Sequence, residues 1–442
     1  MMRRRALCAA GGLACLASLD LRGAPVEVFS RLPGLAPPAP DGGVRLAYFG
    51  THFHRLEAEP GGTEAPTRWV DGTVGSLRLW DAGTRWADVA PRPGVWSFER
   101  MDAYVARAQA HGASVLYTLG STPRWASARP DEPGPYGPGC AAEAVKLAHW
   151  EEYVMRVAER YRGRIQAYEL WNEPQFSDYA RDRAHPGFFT GSMANMVEMA
   201  RAARRVLDRI DPAAVLATPG FVNGPDRLEL FLRSGGAETA QVVAYHFYAR
   251  DARQFAQQIV DVRAVMRRCG VAGLPLWNTE CGVETHEDGA ALPEGITRRL
   301  TPADAADQLA QFLLLGAAGR LDRFYYYAWD NYRSGMVDRQ GLATPRLEAL
   351  RRVEQWLLGA RLSTIEASAS TVSLGAERGA ERFLFVWSEP AQVARVPLPA
   401  GWKIIACEGL LDGAAPAWPT GSGDASRVAL AAAPLRLRLG RA

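Results

Sequence analysis

Short apolar runs of β-favouring residues recur from Val44 onward, at residues 44–49, 76–80, 114–119, 165–171, 214–219, 242–248, 274–279 and 323–329. Between most of them the apolar positions follow a helical period. Tyr153, Val154, Val157, Ala158 and Tyr161 share one face, and Met193, Met196, Val197, Ala200 and Leu207 trace another that Asp211-Pro212 stops. Thr301 and Pro302 supply a cap and a first-turn proline for a helix running to Ala318, which Gly319 ends. Only the connection over residues 56–75 lacks a helical pattern. Strands alternating with helices over residues 44–358 predict an α/β fold, a (β/α)8 TIM barrel, with an open doubly wound sheet as the alternative on pattern alone. Several of the runs end on polar side chains, which a barrel mouth gathers in one place and an open sheet would hold apart.

After Leu358 the helical period disappears. Strand-like pieces at 371–374, 382–387, 393–398, 402–407, 427–430 and 435–439, joined by Gly, Pro and Ser, predict a small C-terminal β-sandwich over residues 359–442. A packing role suits it better than a carbohydrate-binding one. At the other end, Arg3, Arg4 and Arg5 precede an apolar run from Ala6 to Leu19, too short to span a bilayer comfortably. Residues 1–24 therefore read as a signal peptide and 25–43 as a linker. The expectation is export to the periplasm or beyond, with no integral membrane span after leader removal.

Composition narrows the partners. The 442 residues are 48% hydrophobic, enough to bury one large core and a smaller one. Basic and acidic residues number 51 and 48, and only Lys146 and Lys403 are lysine. A net charge of +3 without charge blocks argues against nucleic acid or an anionic membrane surface as partner. Cys140, Cys269, Cys281 and Cys407 form no Cys-x-x-Cys pair, and His52 and His54 lack the carboxylates of a metal cluster, so neither metal nor cofactor is expected. The absence of Gly-x-Ser-x-Gly and of any Gly-Lys excludes the common serine hydrolases and P-loop enzymes.

The chemistry centres on two similar strand ends. The stretch Tyr168-Glu169-Leu170-Trp171-Asn172-Glu173-Pro174 stops on a presented carboxylate, and Pro275-Leu276-Trp277-Asn278-Thr279-Glu280 stops on a second. Paired carboxylates suit glycoside hydrolysis, in which one protonates the leaving oxygen and the other attacks or polarises the sugar carbon. Arg78, midway along its strand, would point inward and lower the pKa of Glu280. His246 and Tyr248 share a strand face, where the phenol could bond the nucleophile and the imidazole a sugar hydroxyl. His52 would face the same site. Trp329 and Trp125 lead the tryptophans expected to offer flat platforms to sugar C–H faces, and Glu169 reads as a salt-bridged interior charge.

Several of these stretches together carry a resemblance: Leu77-Arg78-Leu79-Trp80-Asp81 with Trp86 and Trp96, the segment from Leu116 to Ala126, Tyr161-Arg162-Gly163-Arg164-Ile165, Trp171-Asn172-Glu173-Pro174, His246-Phe247-Tyr248, and Asn278-Thr279-Glu280. In this order the chain resembles clan A of the retaining glycoside hydrolases and, within it, glycoside hydrolase family 39. The resemblance implies Glu173 as general acid/base, Glu280 as nucleophile, Asn172 as ligand of the sugar 2-hydroxyl, and His246, Tyr248 and Arg78 in support. Gln175 departs from the asparagine that family sequences often carry there. Substrate is not implied beyond an oligo- or polysaccharide, since relatives include xylosidases, iduronidases and endo-acting exopolysaccharide hydrolases. Loops over residues 123–142 and 175–190 lean towards endo action, with an exo-acting β-xylosidase-like enzyme or a non-catalytic polysaccharide-binding barrel as the alternatives. Oligomeric state cannot be read.

Overall fold

The computed structural model describes residues 42–58, 65–70, 72–182, 187–285, 299–368, 370–411 and 427–442. The leader expected over 1–24, and the linker expected over 25–43 except its last two residues, lie outside them. Eight parallel strands, β1 (Phe49–Thr51), β2 (Ser76–Leu79), β3 (Ser114–Thr118), β4 (Ala167–Glu169), β5 (Val215–Ala217), β6 (Val243–His246), β7 (Leu276–Cys281) and β8 (Leu321–Tyr326), make one sheet. β8 pairs with β1, and bridges from Ala217 to Val242 and from Phe221 to Tyr245 join β5 to β6, so the sheet closes into a (β/α)8 barrel.

Helices α1 (Trp86–Val89), α2 (Glu99–Ala110), α3 (Leu147–Arg160), α4 (Met193–Ile210), α5 (Asp226–Arg233), α6 (Ala252–Arg268), α7 (Pro302–Ala318) and α8 (Pro345–Leu357) occupy the connections. No helix lies between β1 and β2 among the described residues, as the missing period implied. The caps are the ones the residues call for: the Ser192 side chain accepts from the Asn195 N–H, Asp251 from Gln254 and Thr301 from Asp304, with Pro302 in the first turn. None of these helices is long and apolar enough to cross a membrane.

Inside the barrel two layers divide the labour. Leu116, Ala167, Ala217, Val242, Ala244, Trp277 and Tyr325 form an apolar floor, separate from the larger core between strands and helices. Gly50 makes room for it, since a Cβ there would lie 2.6 Å from both the Tyr325 ring and Ser76 Oγ. Above the floor the inward side chains turn polar, and this layer holds the carboxylates.

The period-two rule would send the wrong residue of β7 inward. Trp277 faces the floor, so Thr279 and Cys281 should follow it, yet Cys281 packs into the outer core. The register explains the change: Tyr245 pairs with Asn278 but His246 with Glu280, and Phe324 with Asn278 but Tyr326 with Cys281. Thr279 is thus the extra residue of a β-bulge, and the bulge turns Glu280 into the barrel.

Beyond α8 come β9 (Arg361–Ala367), β10 (Thr371–Arg378), β11 (Glu381–Ser388), β12 (Gln392–Arg395), β13 (Trp402–Glu408), β14 (Arg427–Leu430) and β15 (Leu435–Arg441). They form a five-stranded antiparallel sheet, ordered β13-β15-β11-β10-β9, faced by the β12-β14 pair. Leu384, Val386, Val396, Ile404, Val428 and Leu437 fill this sandwich. The other face joins the barrel core: Phe385 stacks on Trp356 of α8 with centroids 5.7 Å apart, and Gln311 Nε2 of α7 donates to the Ala432 carbonyl at 2.8 Å. All four cysteines of the described residues are free thiols.

Candidate active site

Arg78 of β2 organises the polar layer. Its guanidinium is fully buried, a state that demands paired charges. Nη1 donates to Glu280 Oε2 at 2.7 Å, Nε and Nη2 to Glu169 Oε2 at 2.8 and 2.5 Å, and Nη2 to Asn172 Oδ1 at 2.7 Å. Thr118 Oγ1 adds a bond to Glu169 Oε2 at 2.8 Å. Nη1 also lies 2.9 Å from His52 Nε2, and because a guanidinium has no acceptor, that nitrogen accepts. His52 Nδ1 then donates to the Tyr326 carbonyl at 3.0 Å, which makes the ring neutral. Burial, with the adjacent guanidinium, holds His52 well below its usual pKa, in keeping with that tautomer.

The two carboxyls named by the strand ends meet above Arg78. Glu173 follows β4 in a left-handed turn, φ 41°, an uncommon conformation for a residue with a side chain, and its N–H donates to Gly220 O at 2.9 Å. Glu173 is 8% and Glu280 6% exposed, so each is largely desolvated yet reachable. Glu173 Oε1 lies 2.8 Å from His246 Nδ1, while Glu280 Oε1 accepts from the Tyr248 hydroxyl at 2.8 Å. One oxygen of each carboxyl and His246 Nδ1 all lie within 4.8 Å of one another. Gly220 permits this closeness: a Cβ there would stand 2.4 Å from His246 Nε2 and 2.8 Å from Glu169 Oε1. The three donor atoms have a spacing that a metal ion could also use, but Arg78 holds a cation against Glu280 already.

The two carboxyls are electrostatically unequal. Burial lifts Glu173 to about 7, with Arg78 opposing and the charges of Asp81 and Glu169 adding. Glu280 is also raised by burial, against the pull of His246 and Arg78, so the net depression expected from Arg78 is overturned by desolvation. Only Glu280 has a guanidinium and a phenol bonded to its oxygens, and of the pair it is the one equipped to carry charge. Burial lowers His246 to about 4, leaving a neutral imidazole beside Glu173.

Of the residues singled out in the sequence, Glu173, Glu280, Asn172, Arg78, His246 and Tyr248 are brought together, and Glu169 is the interior ion pair expected. Three others are placed differently. Trp329 is 0% exposed, its ring 5.1 Å from that of Phe53, so it plugs the space behind the mouth and offers no platform. Trp125 donates Nε1 to the Ala90 carbonyl at 2.8 Å and packs edge-on against His149, in the loop framework. His52 is buried behind Arg78 and orients it, with no surface for a sugar.

Sequence reasoning passed over a further group. Asp81, just past β2 at φ 56°, accepts from Tyr136 at 2.5 Å on Oδ1 and from Tyr327 at 2.8 Å on Oδ2. Trp80, Tyr136 and Phe188 form an aromatic edge beside it, with centroids 5.6 Å (Trp80–Tyr136), 5.7 Å (Tyr136–Phe188) and 6.4 Å (Trp80–Phe188) apart. The available signal was weak: an acidic residue directly after a strand-end tryptophan. Asp81, Ser121, Glu173 and Asn223 all have positive φ and all follow barrel strands, so backbone strain gathers at this mouth.

No family model and no curated protein matches the sequence. Solved structures do. A family 39 glycoside hydrolase from Bacteroides cellulosilyticus WH2 superposes with a TM-score of 0.62 at 15% identity, covering 83% of this chain and 76% of that one. The GH39 enzyme from Xanthomonas axonopodis pv. citri gives 0.55 at 16%, covering 83% and 88%. A GH30 endoxylanase from Clostridium papyrosolvens C71 gives 0.53 at 14%, covering 83% and 89%. At these identities the likeness establishes the fold, and the chain folds as these glycoside hydrolase barrels do.

Proposed function

We propose that the protein is a retaining glycoside hydrolase acting on β-glycosidic bonds by double displacement. The observation that carries this reading is one pair: a buried carboxyl lifted to about 7 and a second held by a cation and a phenol, with an oxygen of each within 4.8 Å. Retaining enzymes place their carboxyls about 5–5.5 Å apart, and inverting ones about 6.5–9.5 Å. Protonated Glu173 gives its proton to the glycosidic oxygen while Glu280 attacks the anomeric carbon and the aglycone leaves. Water then attacks the glycosyl ester, Glu173 takes its proton, and Glu280 is released as carboxylate. Tyr248 orients Glu280, and Asn172, gripped through Oδ1 by Arg78, turns its amide hydrogens to the sugar 2-hydroxyl.

The fold likeness to glycoside hydrolases, an endoxylanase among them, supports a carbohydrate substrate. The loops bearing Tyr136 and Phe188 favour a polysaccharide cleaved internally, in the exported setting that the leader implies. Proton NMR of the first product released from an activated aryl β-glycoside tests the mechanism. A β-anomer is expected, and an α-anomer as first product overturns it.

A further inference from the structure

Asp81 is a carboxylate that the catalytic cycle above does not use, yet it is built into the same opening. Its strained backbone holds it past β2, and a phenol from the loop after β3 and another from the end of β8 fix one oxygen each. Both donors are neutral, and among the described residues no cationic side chain pairs with it. Arg85 lies over the Tyr136 ring at 4.0 Å and gives its Nε to Asp88 at 2.9 Å, so it feels the Asp81 charge without a direct ion pair. Asp81, Tyr136, Tyr327 and Phe188 are all half-buried, so this wall faces outward. The Tyr327 ring lies 5.1 Å from that of His52, which bonds Arg78, and this places Asp81 on the side of the mouth where Arg78 holds Glu280.

A carboxylate offers about four acceptor positions, and the phenols take two. One acceptor direction on each oxygen remains, the arrangement that two neighbouring sugar hydroxyls satisfy, beside the half-buried rings of Tyr136 and Phe188 for the apolar sugar face, with Trp80 buried behind them. A sugar carboxylate has no proton to give there. It would also enter a site where Asp81, Glu169 and Glu280 already gather and where Arg78 is committed to Glu169 and Glu280. We propose that Asp81, held by Tyr136 and Tyr327, is the specificity-determining residue that binds hydroxyls of the sugar beside Glu280 and confines the enzyme to neutral sugars, rejecting uronic acids at that position. This rests on the hydrolase reading. The Asp81 charge also helps raise Glu173, which supplies an independent readout.

The test compares wild type with Asp81→Asn, a change that keeps shape and tolerates the left-handed turn. Substrates are matched 4-nitrophenyl β-glycosides: xyloside, glucoside, galactoside and glucuronide. Wild type should turn over its best neutral glycoside at least ~100-fold faster in kcat/KM than the glucuronide, since the like charge of Asp81 a few ångströms away opposes binding of the glucuronate. Asp81→Asn should narrow that ratio at least ~10-fold and move the alkaline limb of kcat/KM to lower pH. Tyr327→Phe, which keeps the charge, should retain the rejection. An unchanged ratio and limb in folded Asp81→Asn, or a wild type that prefers the glucuronide, overturns the assignment. A wild type inert on every substrate overturns the hydrolase reading, and the assignment with it.

Discussion

Replacing Glu173 with glutamine should make the protein more stable at neutral and alkaline pH while removing its proton donor. Burial lifts this carboxyl from an ordinary value of 4.5 to about 7. Below pH 4.5 the group is protonated in both folded and unfolded chains and contributes nothing to the pH dependence. Between 4.5 and 7 the unfolded chain ionises while the folded one keeps its proton, so stability falls as pH rises, and above 7 the penalty is complete. At ~1.4 kcal/mol per pH unit, that gap corresponds to about 3 kcal/mol. Glutamine is neutral throughout and keeps a hydrogen-bonding group towards His246. The variant should therefore match wild type near pH 4.5 and exceed it by about 3 kcal/mol above pH 7. With an unfolding entropy of ~2 cal/mol/K per residue over a chain of this length, that is about 3–4 °C in Tm. Calorimetric melting of both proteins from pH 4.5 to 8.5 measures it. A stability difference that does not change with pH, or a variant less stable than wild type at pH 8, would refute the reasoning.

Two further substitutions probe the layer beneath. Arg78→Met leaves Glu169 and Glu280 buried without their cation and should destabilise by about 3–5 kcal/mol at pH 8, as read by denaturant unfolding, with a smaller loss at pH 5, where the freed carboxyls can take protons. Gly220→Ala puts a methyl group against His246 Nε2 and Glu169 Oε1, and should lower kcat at least ~10-fold through displacement of His246, at a stability loss of about 1–3 kcal/mol. Wild-type kcat in that variant would show that the closeness is incidental.

The barrel was readable because eight β-type runs and the helical stripes between them obey their own periods, whatever their neighbours do. The boundaries were not. Residues 165–171 contract to Ala167–Glu169, and Glu173 sits in a left-handed turn beyond the strand. Glu280, expected just past a strand ending at 279, lies within β7 and points inward through a bulge that exists only in register with β6 and β8. The Arg78 to Glu280 contact was readable because a charge in mid-strand must find a partner. Trp329 and His52 were misread because strand-end position does not say whether a ring faces the opening or is packed behind it. Asp81, Tyr136 and Tyr327 come from three different connections, and no local pattern joins them. The rise of Glu280 depends on depth, which charge pairing alone does not convey.

Covalent trapping tests the central claim most directly. A 2-deoxy-2-fluoro β-glycoside with a good leaving group, matched to the best neutral substrate, should inactivate the enzyme, and mass spectrometry of the digest should find the fluorosugar on the peptide bearing Glu280. A label on any other residue, or active enzyme that turns the reagent over or ignores it without forming an adduct, would contradict the account.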